Sequence, residues 1–280
     1  MTVTQPTPAD WPEIVYGTAW KGERTAELVR LALACGYRAV DTAGQPKHYY
    51  EPGVGAGIAS AFDELKLQRD DLFLQTKFSP VMAQGCEIPY DTGAPSAEQV
   101  EQSLDQSLTN LGTEYLDSYL LHAPQGARGL ADADWAIWEA LEAAYERGQV
   151  RRIGISNAAV PHLEELLTHA RIPPVAVQNR CFARDGWNRD VRALCAEHGI
   201  AYQGFSLLTA NPGVAEDATV QKLANQLEAT PAQIVFAFAR AVGMVPLTGT
   251  TSEQHMADDL AACELSLDAD AVAAVERVGL

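Results

Sequence analysis

The 280-residue sequence predicts an α/β fold, a parallel eight-stranded (α/β)8 TIM barrel, on three observations. Short apolar runs and stretches of helical periodicity alternate eight times along the chain with short links between them. The run Leu72-Phe73-Leu74 is apolar throughout, as a strand covered on both faces must be. The first run lacks the glycine fingerprint that a doubly wound sheet would carry at its first turn. Closure into a barrel is the simplest arrangement for that count, with residues 1–280 as one domain.

Ile14-Val15-Tyr16, closed by Gly17-Thr18, reads as the first strand. Thr25 to Cys35 sets Leu28, Leu31, Ala32 and Cys35 on one helical face, and Gly36 stops it. Tyr37–Asp41 is the second strand and Val54–Leu65 the helix after its loop; Leu72–Lys77 is the third strand. The connection Ser79–Pro95 is long and rich in Gly and Pro, a length that usually serves function in a compact domain. Ser96-Ala97-Glu98-Gln99 reads as a capping box before the stripe Val100, Leu104, Leu108 and Leu111. Leu116–His122 is strand four, followed by a helix over Trp135–Arg147 that stops at Gly148. Val150–Ile155 leads directly to Ser156-Asn157, and Leu163, Leu166, Leu167 and Ala170 mark the next helix. Val175–Val177 ends at Gln178, and Val191, Leu194 and Cys195 form a helix stopped by Gly199. Ile200–Phe205 is strand seven, and Val220, Leu223, Ala224 and Leu227 form one more stripe. Thr230-Pro231-Ala232-Gln233 supplies an N-cap, a first-turn proline and a capping glutamine in the preferred order. Met244–Leu247 is the eighth strand, and two short helices finish the chain.

With 47% hydrophobic residues the chain can bury a large core. A formal charge of −17 argues against a nucleic-acid partner, since phosphate binding needs basic patches. Five widely spaced cysteines without a CxxC pair suggest neither a zinc site nor a disulfide framework, and no metal is expected. Met1–Trp11 has no signal-peptide pattern, and no apolar run could span a bilayer. The expected location is the cytoplasm, without a membrane partner and as a monomer or small homo-oligomer.

The chemistry gathers where apolar runs end. Asp41, Lys77 and His122 each stand where a buried strand runs out, and Tyr49 lies on the first of the following loops. A barrel brings such positions side by side on its upper rim. Taken singly, Lys77 is a surface lysine and His122 a satisfied core histidine; together with Asp41 they imply a buried ion pair kept for function. A free phenol is a poor acid at neutral pH, and a nearby ammonium is expected to lower its pKa, making Tyr49 a proton donor. His122 would orient a carbonyl oxygen. Ser156, Asn157 and Gln178 suit a carboxamide, since their groups donate and accept. Trp20 and Phe205 offer apolar surface near strand ends. No GxSxG elbow is present, and Gly53-Val54-Gly55-Ala56-Gly57 follows a loop rather than a strand, so it reads as a tight helix entry rather than a phosphate loop.

The ordered set Gly17-Thr18, Asp41-Thr42-Ala43, Thr76-Lys77, Leu121-His122-Ala123-Pro124, Gly154-Ile155-Ser156-Asn157 and Val177-Gln178 resembles the aldo-keto reductase superfamily from about Gly17 to Leu260. The resemblance implies a barrel binding a nicotinamide cofactor, with Asp41, Tyr49, Lys77 and His122 as catalytic tetrad. It implies that Ser156, Asn157 and Gln178 hold the carboxamide and that Phe205 stands under the ring, with Ser206 and Leu208 along the pyrophosphate and Gly17-Thr18 nearby. Three departures stand out. The Asp-to-Tyr segment is longer, with Pro46 where the tyrosine usually lies; Tyr49 aligns through Tyr-x-Glu, and Tyr50 competes with it. The stretch that grips a 2′-phosphate is Gly249-Thr250-Thr251 with His255, lacking the usual lysine and arginine. NADP(H) is therefore expected with a weakened preference, and NAD(H) is the alternative. The chain ends without the family's long C-terminal loop, so Trp20, Tyr50, Phe78 and the Ser79–Pro95 loop should bound an open substrate cleft.

The expected function is NAD(P)H-dependent reduction of an aldehyde or ketone, with a small carbonyl compound as partner. Two rivals are a non-catalytic nicotinamide-nucleotide-binding regulatory or scaffolding protein, and a lyase or isomerase using Lys77 as a Schiff-base amine.

Overall fold

A computed structural model describes residues 11–279. Eight parallel strands close into a barrel in chain order: β1 (Val15–Gly17), β2 (Ala39–Asp41), β3 (Phe73–Phe78), β4 (Ser118–Leu121), β5 (Ile153–Ser156), β6 (Ala176–Arg180), β7 (Ala201–Phe205) and β8 (Met244–Thr248). Around them run α1 (Thr25–Cys35), α2 (Glu51–Leu65), α3 (Ser96–Leu111), α4 (Asp132–Glu146), α5 (Val160–His169), α6 (Arg189–Glu197), α7 (Ala218–Gln226), α8 (Pro231–Ala241), α9 (Glu253–Ala261) and α10 (Ala269–Glu276). β1 pairs with β2 on one side and β8 on the other, which leaves no open edge. Two phenols clamp that seam: Tyr16 donates to Thr250 O at 3.0 Å and Tyr37 to Met256 O at 3.2 Å.

Residues paired across parallel strands share a face, so register and alternation sort the interior into layers. Val15, Ala39 and Leu247 pack low in the barrel with Phe73 and Val245. Asp41 pairs with Gln75, Ser156 with Gln178 and Gln178 with Gln203, which makes the next layer polar. The larger apolar core lies between strands and helices and includes Tyr16, Leu74, Phe78, Tyr119, Trp138 and Phe238.

Two local expectations need correction. Ser96 is the first residue of α3 rather than its cap; Pro95 stands at the cap, and the Gln99 amide donates to Ala94 O at 2.8 Å. The glycine run at 53–57 is not a helix entry but the interior of α2. There it permits close approach: a Cβ on Gly55 would stand 2.2 Å from Asn110 O, and one on Gly57 2.6 Å from Ala26 O.

Candidate active site

β2 and β3 deliver the central pair. Asp41 ends β2 and Lys77 lies near the end of β3, both facing the barrel interior. Lys77 Nζ donates to Asp41 Oδ1, Asp41 Oδ2 and Thr42 O, each at 2.7 Å, and is 1% exposed. Its three N–H bonds are thereby taken. Burial pushes the Lys77 ammonium below its ordinary pKa, and the Asp41 charge opposes that shift. Asp41 also accepts from Gln75 Nε2 at 2.7 Å and Gln178 Nε2 at 3.0 Å. Gln203 closes this net against Gln75 and Gln178, with Gln75 Nε2 and Gln178 Nε2 each 2.8 Å from its Oε1. Gln75 and Gln203 were not singled out from sequence, although each lies two residues before a chosen position and so on the same strand face.

Tyr49 is set by its loop. Its N–H donates to Gln45 O at 3.0 Å. Two residues on, the buried Glu51 accepts from Thr76 Oγ1 at 2.7 Å and Ser107 Oγ at 3.0 Å, which pins the start of α2. The Tyr49 ring thus lies 5.4 Å from Lys77 Nζ and 6.0 Å, edge-on, from the His122 ring. Tyr50 is turned away, 49% exposed at the cap of α2. The expected lowering of the Tyr49 pKa does not occur: burial and the Asp41 charge raise it, with Arg180 opposing. The physical reason is desolvation: burial disfavours the charged phenolate, and the Asp41 carboxylate offsets the ammonium paired with it. His122 follows β4, and burial together with Lys77 pushes its imidazole down to about 3, so it is neutral at physiological pH.

These side chains open on a cleft of about 800 Å³, at the upper end of the size of small-ligand sites. Asp41, Tyr49, His122, Ser156 and Gln178 line one end, and Gly249, Thr250 and His255 the other. Trp20, Phe205, Ser206 and Leu208 line the walls, as does Gly17. Trp20 and Ser206 stand just beyond strand ends in left-handed backbone, φ 61° and 58°, a costly conformation that concentrates at functional sites.

Besides Lys77, which stands behind Asp41, and Tyr50, four residues expected at the cleft do not line it. Phe78 is fully buried, its ring 5.3 Å from Tyr90, because alternation turns it outward when Lys77 points inward. Thr18 is buried with its hydroxyl on Asp41 O at 2.9 Å. Asn157, at φ 56°, turns its amide onto His122 O at 2.9 Å. Thr251 is exposed beyond the lining. Lys21, missed from sequence, is the only lysine or arginine lining the cleft among the described residues, and it donates to Gly249 O.

The lining fits a dinucleotide in chemical type. The Gln178 amide nitrogen is held by Asp41 and Gln203, which leaves its carbonyl oxygen to accept from a carboxamide. Phe205 provides an apolar face, and Lys21, Thr250 and His255 provide groups that can meet phosphate. Asp258 and Asp259 line the same end, burial lifting the Asp259 carboxyl to about 6.

The sequence profile of the Aldo/keto reductase family matches residues 13–279. A glyoxal reductase of Bacillus subtilis (strain 168) is 31% identical over 264 residues, covering 92% of this chain and 87% of the relative. A methylglyoxal reductase of Yersinia pestis is 28% identical over 270 residues, covering 95% and 88%. Among solved structures, an aldo-keto reductase of Bombyx mori in complex with NADP matches with a TM-score of 0.82 at 25% identity, covering 98% of this chain and 93% of that one. An aldo/keto reductase of Brucella melitensis matches with a TM-score of 0.80 at 26% identity, covering 95% and 94%.

Proposed function

This chain belongs to the aldo/keto reductase family, and on that premise we propose that it reduces a small aldehyde or ketone to the alcohol with NADPH, Tyr49 supplying the proton. Family membership makes it an NAD(P)H-dependent oxidoreductase. The observation that carries the finer reading is convergence: Lys77 bonded to Asp41 at 2.7 Å, with the Tyr49 ring 5.4 Å from that amine and 6.0 Å from His122.

NADPH, when bound, supplies the hydride. Ser156 and Gln178 would hold its carboxamide and Phe205 its ring, with Ser206, Leu208, Gly249, Thr250, His255 and Lys21 along the rest of the molecule. His122, neutral at working pH, donates a hydrogen bond to the carbonyl oxygen and orients it. Tyr49 keeps its proton because burial raises its pKa. It gives that proton up only to a stronger base, and an alkoxide forming on the substrate oxygen is one. Asp41 holds Lys77 as an ammonium 5.4 Å from the phenol ring, where that ammonium is the positive charge set to steady the phenolate that results. The Schiff-base alternative is disfavoured, since a Lys77 amine with all three hydrogens engaged has no lone pair to attack with.

The names of the relatives make glyoxal and methylglyoxal the first aldehydes to try. Loss of NADPH absorbance on adding either should be seen with wild-type protein, and the same assay with NADH measures cofactor preference. Tyr49→Phe should lower kcat by about 10²- to 10⁴-fold while leaving NADPH affinity intact, and Tyr50→Phe should not. Absence of turnover across a broad carbonyl panel, or a Tyr49→Phe enzyme as fast as wild type, overturns the proposal. Tight NADPH binding without turnover would select the regulatory reading instead.

A further inference from the structure

We propose that Ser79 is a positioning residue that fixes the tautomer of His122. By donating its hydroxyl hydrogen to Nδ1, it places the ring's single N–H on Nε2, toward the cleft. The inference rests on the role proposed for His122 above and adds the residue that enables it.

Ser79 directly follows β3, is fully buried, and holds its Oγ 2.6 Å from His122 Nδ1. Two arrangements suit that distance: the hydroxyl donates to Nδ1, or a protonated Nδ1 donates to the hydroxyl. The second strands the serine hydrogen, because Ser79 Oγ has no other hydrogen-bond partner among the described residues. A buried hydroxyl without an acceptor is unfavourable, so the first arrangement prevails. The neutral imidazole carries one N–H, and with Nδ1 accepting it must lie on Nε2. The ring is also anchored through its backbone: His122 N donates to Phe78 O at 2.9 Å, and His122 O accepts from Asn157 Nδ2 at 2.9 Å. His122 lines the cleft, so the nitrogen opposite the buried Ser79 contact is the one offered to a substrate.

Ser79 also ties the histidine to the long loop between β3 and α3. Its carbonyl accepts from Tyr90 Oη at 2.7 Å and Gln84 Nε2 at 3.0 Å, and the Tyr90 ring packs on Phe78. The loop therefore braces the residue that sets the hydrogen-bonding sense of the imidazole.

The direct test is ¹⁵N NMR of histidine-labelled protein, which distinguishes the two tautomers without any turnover. Wild-type His122 should show an accepting Nδ1 and a protonated Nε2. Ser79→Ala should give a mixture or the opposite tautomer, and its kcat should fall by about 10- to 100-fold with NADPH affinity unchanged. Ser79→Cys, a weak donor of similar size, should lie between Ser79→Ala and wild type in both measurements. A wild-type ring protonated at Nδ1, or a Ser79→Ala enzyme with the wild-type tautomer and kcat, overturns the proposal. His122→Gln separates the levels: if it cripples turnover while Ser79→Ala does not, only the inference fails. If His122→Gln turns over like wild type, the role assigned to His122 fails and the inference with it.

Discussion

At the residue scale, the site depends on a charge pair that would be unstable if either member stood alone. Asp41 and Lys77 are 3% and 1% exposed, and each lies where an unpaired charge would be strongly disfavoured. Two glutamine amides and the Thr42 carbonyl meet the hydrogen-bonding capacity that the pair leaves over. Asp41→Asn removes the countercharge and leaves the ammonium buried. The expected loss is about 3–5 kcal/mol of stability by urea denaturation, together with a large fall in kcat. A loss below about 1 kcal/mol would mean the pair is hydrated in solution. Single residues also set the identity of the phenol near the amine. Tyr49 and Tyr50 are adjacent in the chain, yet only Tyr49 lines the cleft, because Gln45 and Glu51 hold the turn on either side of it.

At the element scale, the helix caps show how closely local chemistry was realised. Thr230 caps α8 as its sequence implies: its Oγ1 accepts from Gln233 N at 3.2 Å, and Gln233 Oε1 accepts from Thr230 N at 2.8 Å. The similar pattern at Ser96 makes no side-chain cap, since the chain entering from Pro95 starts the helix one residue earlier. Thr230→Ala should therefore cost about 1 kcal/mol, and Ser96→Ala should stay within about 0.5 kcal/mol of wild type, both measured by urea unfolding. Equal losses would show that the difference in cap geometry carries no energy. The glycines of α2 act at this scale too, letting two neighbouring helices approach where any side chain would collide with a backbone carbonyl.

At the scale of the whole molecule, barrel closure gathers groups from strands far apart in the chain. Gln75, Gln178 and Gln203 come from β3, β6 and β7 and meet around Asp41 beneath the cleft. Each amide in that layer is bonded to another or to Asp41, so the net is cooperative. Gln203→Leu would strand the Gln75 carbonyl that accepts from its amide nitrogen at 2.9 Å and free two amide donors. A loss of roughly 2–4 kcal/mol is expected in urea unfolding, with weaker NADPH binding because Gln178 loses one of its two anchors. Unchanged stability and affinity would show that the glutamines merely fill space. Closure also lets one acidic molecule, at −17 overall, keep a lysine, Lys21, in the wall of its cleft.

The sequence by itself determined the alternation of strand and helix, most strand positions to within a residue or two, and the carboxylate, amine and imidazole at the strand ends. These rest on periodicity and on what stands where an apolar run stops, and both are local properties of the chain. The inward or outward phase of a strand is local as well: with Lys77 inward, Phe78 had to face the helices, and Gln75 had to share the lysine's face. Only the tertiary structure decided the direction of the Tyr49 pKa, the turning of Asn157 onto His122, the glutamine net and the seat of Ser79 against Nδ1. Each of these depends on which atoms exclude water from, or offer a hydrogen bond to, a group tens of residues away. Such partners become neighbours only when the barrel closes, and hydrogen bonding and desolvation act over a few ångströms of space, whatever the separation along the chain.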